Sequence, residues 1–319
     1  MGAAAMLSRN AANLYWLGRH IERADYLCRL TEATMRLSSL PSSMGGAGNA
    51  WESALRAAAM VYAFEETGRT VGEETVGHFL TLDPDNNASI RTCLERARGN
   101  ARSVRTALTT ETWEAINGAW LDVQRFGVGF PSRNTLTRVL DAVKAALQSF
   151  EGAAYRTQLR EKTYWFMQLG TMIERADNTA RLLDVKYHLL LPRTEPIGGS
   201  LDYFQWTTLL RTVSALTAYR WVYRDAVKPW LVADLLILNR SMPRSLAACY
   251  EEAVRLLDAL AAGNGGRRGP AHRAALAGLR RLSNTHIDAI FQGGLHEFLA
   301  SFIDDNNAFG AAIAEQYLF

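Results

Sequence analysis

Apolar or small residues recur at Leu14, Leu17, Ile21, Ala24, Cys28 and Met35, in steps of three and four that place them on one face of a helix. Ser8 suits a cap ahead of this run and Pro41 closes it, so the pattern predicts one long helix there. The stretch SSLPSSMGGAGNA at 38–50 reads as a loop. Further helices are predicted over about 51–69 and 75–82. Asn or Ser residues after LDPDNN cap the next one, CLERARGNARSVRTAL, and a break at Thr109-Thr110 precedes ETWEAINGAWLDV. After FGVGFPS (126–132) no proline occurs until past Leu191, and a break near Gly152 divides what would otherwise be an unusually long helix. No segment sustains period-two alternation, so the expected class is all-α.

The pattern then repeats. LGRHIERAD at 17–25 returns as LGTMIERAD at 169–177, an offset of 152 positions that also matches Arg29-Leu30 with Arg181-Leu182. Trp51, Leu55 and Arg56 match Trp206, Leu210 and Arg211 at an offset of 155; Leu80, Leu82, Ser89, Cys93 and Glu95 match Leu236, Leu238, Ser245, Cys249 and Glu251 at 156. Collinear matches whose offset drifts by a few residues are the mark of a tandem duplication with small loop changes. The expectation is a single large helical bundle of two halves, 1–156 and 157–319, related by a pseudo-twofold axis. The period is far longer than that of solenoid repeats.

Composition narrows the functions available. The 35 basic and 32 acidic residues are spread without blocks of like charge, which argues against a nucleic-acid binder. The longest apolar stretches fall well short of the roughly 20 residues that cross a membrane, and no charged and apolar leader opens the chain. Cys28, Cys93 and Cys249 are far apart and form no metal-type pair, which fits a reducing, cytoplasmic compartment. Only four of the basic residues are Lys; the rest are Arg, the residue suited to bidentate pairing with carboxylate or phosphate.

The chemistry-bearing residues lie in the repeated run. On a helix, Gly18, Glu22, Asp25 and Arg29 form one stripe, and Gly170, Glu174, Asp177 and Arg181 form another. Each Gly costs helix stability, roughly 1 kcal/mol against Ala, so a backbone or a ligand is expected to pack against it. Asp25–Arg29 and Asp177–Arg181 are i,i+4 pairs in the better orientation. Glu22 and Arg23 point about 100° apart and need partners elsewhere, as do Glu174 and Arg175; Arg56 and Arg211 are the candidates. Two halves packed about a twofold axis would bring Glu22 and Glu174 together. They would then form a buried salt-bridge network, a site for a small zwitterionic or anionic ligand, or a di-metal centre. The absence of Glu-x-x-His counts against the last, and no metal or cofactor is expected. Arg244, in MPRSL at a predicted helix start, is a further anion-binding candidate. No nucleotide-cradling loop or hydrolase elbow is present.

NLYWLGRHIERADYLCRL, LGTMIERADNTARLLDVKYH, WTTLLRTVSALTAYRWVYR and MPRSLAACYEEA together resemble the bacterial alpha-E family, an all-helical domain named for its Glu-Arg motif. The motif falls here on Glu22-Arg23 and Glu174-Arg175. The resemblance implies association with an ATP-grasp-type ligase, with a transglutaminase-like peptidase and with a proteasome-like hydrolase, a setting of peptide or amide-bond metabolism. The expected role is a helical accessory or co-catalytic subunit that holds a peptide or small anionic or zwitterionic ligand at the Glu-Arg centre. Two alternatives stand beside it: an enzyme using Glu22 and Glu174 as acid and base, and a purely structural scaffold.

Overall fold

The computed structural model describes residues 8–39, 48–189, 200–263 and 265–319, and among them there are helices and no strand. A long α1 (Ser8–Ser38) is followed by short α2 (Gly48–Ala57), α3 (Val61–Glu65) and α4 (Glu73–Thr81), then by longer α5 (Ile90–Ser103), α6 (Thr110–Gln124) and α7 (Arg133–Thr157). The series resumes with long α8 (Lys162–Leu189) and short α9 (Ser200–Thr212), α10 (Leu216–Tyr223) and α11 (Pro229–Ile237). It closes with α12 (Leu246–Ala262), α13 (Pro270–Ser283), the short α14 (Ile287–Gly293) and α15 (Leu295–Tyr317).

Local chemistry sets many of the boundaries. Ser89, Thr109, Ser132 and Ser245 each precede a helix and accept from the backbone N–H three residues on. Ser8 is itself the first helical residue, and the position before it lies outside the described residues. Most of the loop expected at 38–50 also lies outside them, but helix is already in place from Gly48. The single helix expected over 51–69 is two, because Ala59 takes a left-handed conformation with φ 56° and the chain turns between α2 and α3. Ser214 has the same φ between α9 and α10. The break expected near Gly152 falls instead at 158–161: Gly152 stays helical within α7, and Gln158 leaves the helix in extended backbone.

At the centre, α1 and α8 lie side by side. A Cβ on Gly18 would sit 2.0 Å from the carbonyl oxygen of Met167, and one on Gly170 would sit 2.0 Å from that of Tyr15. Neither glycine has room for any side chain, since what it meets is the opposing backbone. Gly18 faces Met167 and Thr171, while four residues further on Glu22 meets Arg175, so the two helices run in the same direction. The helices α5 and α7 pack on α1, with α6 against both; α12 and α15 pack on α8, with α13 against both. The short α2 and α9 each touch both central helices. Leu14, Leu17, Ile21, Ala24 and Cys28 are buried as the periodicity requires, and so are Leu169, Ile173, Ala176, Ala180 and Leu183 of α8. Neighbours cover α1 on several sides, so acidic residues of the helix are also carried inside.

Candidate functional site: two Glu-Arg clusters

Glu22 and Glu174 are 1% and 2% exposed. An isolated buried carboxylate is very costly, so each needs cationic donors. The Glu22 carboxylate accepts from Arg175 at 2.6 Å and from Arg244 at 2.6 Å. The Glu174 carboxylate accepts from Arg23 at 2.6 and 3.1 Å, a bidentate pair, and from Arg19 at 2.8 Å. The Glu of each motif is thus paired with the Arg of the other, across the contact between α1 and α8. The close approach at the two glycines makes this exchange short enough to form.

Each cluster has a second carboxylate one turn further on. Asp25 accepts from Arg29 at 2.7 Å and from Arg244 at 2.6 Å, so that Arg244 bridges Glu22 and Asp25. Among the described residues Asp177 accepts from Arg181 alone, at 2.7 and 3.3 Å. Burial pushes both Asp carboxyls up. At Asp25 the Arg244 and Arg29 guanidiniums overcome that push and the pKa lies below the usual value; at Asp177 Arg181 offsets it only in part and the pKa lies above. Burial likewise opposes ionisation of Glu174, yet Arg23 and Arg19 bring it down to about 2.

The two clusters also differ in what lies beyond them. Arg244 immediately precedes the cap Ser245 of α12, and its side chain fills the space beside Glu22 and Asp25. The residue before the cap Ser89 of α5 is Ala88, which fills nothing. A cavity of about 300 Å³ opens there, bounded by Ala88, Glu174, Asp177, Arg19, Arg23 and Arg181 among others. Asn178 also lines it, 6% exposed and with an amide nitrogen that has no partner among the described residues. On the other side of Arg19 is a second cavity of about 320 Å³, walled by Tyr15, Trp16, Ile173 and Phe319.

Of the residues singled out from sequence, Glu22, Arg23, Asp25, Glu174, Arg175, Asp177 and Arg244 meet at the α1–α8 contact. Arg56 and Arg211 do not. Arg56 pairs with Glu52 on the surface of its own helix, and Arg211 borders a small cleft with Arg36 and Lys144. Arg56 on α2 and Arg211 on α9 both face outward, so they are not the missing partners. The partners are the motif arginines themselves, together with Arg244 and Arg19. Glu22 and Glu174 share no arginine, and the arrangement is two clusters where one was expected. Arg19 escaped the sequence reading; the signal was that it sits next to Gly18, whereas Thr171 occupies the matching place beside Gly170. No group of His, Cys, Asp and Glu able to hold a metal occurs among the described residues.

A family model matches residues 6–318: Alpha-E, a predicted alpha-helical domain with a conserved ER motif. No curated protein and no solved structure matches the chain. The match spans nearly the whole sequence, and the chain belongs to the Alpha-E family.

Proposed function

Starting from that membership, we propose that the chain is a tandem duplication, 1–156 and 157–319, whose halves pack as one domain about a pseudo-twofold axis. Several recurrences support it. Gly18 and Gly170 meet each other's helix at matching carbonyls, and Ala59 and Ser214 share a left-handed backbone. The Ser89 hydroxyl donates to the Asp83 carbonyl as the Ser245 hydroxyl donates to that of Asn239, each six residues back.

In this reading the Glu22 cluster, closed by Arg175 and Arg244, is the structural clasp of the domain, and the Glu174 cluster is the binding face. The chain serves as a helical accessory or co-catalytic subunit to an ATP-grasp-type carboxylate–amine ligase in peptide or amide-bond metabolism. It holds a peptide or a small anionic or zwitterionic ligand beside Glu174. The observation that carries this reading is the cavity where three arginines and an unpartnered amide donor surround two carboxylates. A transglutaminase-like peptidase is a second partner in the same setting, and the isolated cysteines support a cytoplasmic one.

The alternative of a stand-alone acid–base enzyme fits less well. Both glutamates are buried on paired guanidiniums, and a carboxyl held near 2 has no proton to donate at neutral pH. Co-purification and native mass spectrometry with the ATP-grasp-type ligase of the same genome test the proposal. A stable complex, and ligase turnover that falls when this chain is omitted, are the expected results. Absence of both would sink it.

A further inference from the structure

The two cavities on either side of Arg19 have complementary chemistry. In the charged one, Arg19, Arg23 and Arg181 face Glu174 and Asp177, which leaves one surplus positive charge when both carboxylates are ionised. The Asn178 amide nitrogen there is a buried donor without an acceptor among the described residues. In the other, Trp16, Ile173, Ala314 and Phe319 give an apolar and aromatic lining, and the buried Tyr15 hydroxyl has no hydrogen bond of normal geometry among the described residues. The cavities share Arg19 and Asn307 as walls. Arg19 uses its Nε on Glu174 and lays the rest of its guanidinium over Trp16, 5.0 Å from the ring centre.

We infer that these cavities form one two-part site for a molecule carrying a free carboxylate and an apolar or aromatic side chain, as in a free amino acid or at a peptide C-terminus. The inference rests on reading the Glu174 face as a ligand site and specifies what that site selects. A monoanion matches the single surplus charge, and a carboxylate presents two acceptors to the guanidinium edges and to the Asn178 donor. A phosphate dianion would leave the pocket with excess negative charge. The apolar group then lies past Arg19, against the rings, where burial adds to affinity.

Calorimetric titration of the isolated full chain tests this with L-phenylalanine and N-acetyl-L-phenylalanine, against L-phenylalaninamide and N-acetylglycine. At least one of the first two is expected to bind saturably, with the amide and the glycine derivative at least tenfold weaker. Preference for the free amino acid or for its N-acetyl form tells the two sources apart. Ala88→Leu narrows the charged cavity and Ala314→Trp fills the aromatic one, while all the Glu174 partners stay in place. Each is expected to weaken binding at least tenfold with cooperative melting retained; Ala311→Phe replaces Ala314→Trp should that variant fail to fold. The inference is overturned by no binding at concentrations on the order of 10 mM, by an amide that binds as tightly as the acid, or by cavity variants that bind like the parent. The ligase plays no part in the titration, so failure of the ligase association and failure of this inference are separately visible.

Discussion

Glu174 and Asp177 stand one turn apart on one helix, yet the fold treats them in opposite ways. Glu174 has two arginines and a pKa of about 2, so its ionised form stabilises the native state above the ordinary carboxylate pKa. That stability, about 3 kcal/mol by linkage, is lost as pH falls from about 4.5 through 2. Chemical denaturation of Glu174→Gln is expected to show the deficit at pH 7 and a flatter acid limb than the parent. For Asp177 the sign reverses: its pKa is raised, so its contribution to stability declines as pH rises past the ordinary carboxylate value. Asp177→Asn is therefore expected to cost about 1 kcal/mol or less at pH 7, whereas Asp25→Asn, which takes the paired negative charge from Arg29 and leaves Arg244 only its contact with Glu22 among the described residues, costs about 2 kcal/mol. Equal losses in the two variants would contradict the assigned difference between the clusters. At this scale the i,i+4 pairs were legible in the sequence, because helix geometry alone fixes them. The exchange of motif arginines was not, because each partner lies more than 150 positions away and only the packing of α1 on α8 brings it near.

Among the elements, α1 and α8 owe their contact to two missing side chains. Gly18→Ala or Gly170→Ala would force a methyl group into a carbonyl oxygen of the opposing helix. Backbone has no rotamer with which to yield, so each substitution is expected to lower stability by about 3 kcal/mol and to lengthen the Glu-Arg contacts. Gly118→Ala, on α6 with open space around it, is the matched control and is expected to add up to about 1 kcal/mol. A gain at position 18 comparable to that at 118 would mean that helix propensity, and not the close approach, governs these sites. The repeated glycine one turn before a glutamate announced this approach in the sequence. The break within 51–69 carried no such signal: Ala59 is an ordinary helix former driven to positive φ where the Met60 and Ala59 amides bond back to α2. The displaced break at 158–161 has the same lesson, since Gly152 is tolerated inside α7 while its neighbours Phe150 and Ala154 are held in the core.

For the whole molecule, the clusters make the segment before α8 and the segment from α8 onward depend on each other. Glu174 finds its cations on α1, and Glu22 finds its arginine donors, Arg175 and Arg244, beyond residue 157. A segment carrying only 1–156 would leave Glu22 without Arg175 and Arg244 and would expose the α1 face that α8 covers. Expressed alone, neither half is expected to melt cooperatively, whereas co-expression of the two should restore a single transition in differential scanning calorimetry. Cooperative melting of an isolated half would refute this dependence. The helical class and the overall pairing of long helices were legible because periodicity and internal similarity are properties of the chain itself. The difference between a filled and an open cluster was not, because it turns on Arg244 against Ala88, each immediately ahead of an equally good helix cap.

Cys93 and Cys249 stand at matching places in α5 and α12, both buried, with burial pushing each thiol up to about 12. A native thiol in that state does not react, so alkylation by a neutral reagent proceeds only when the surrounding helix opens. The pair is thus a built-in clock with one hand in each half. Equal labelling rates would mean that the halves open as a single unit, and a faster Cys93 would locate the weaker half on the side that carries the open cavity.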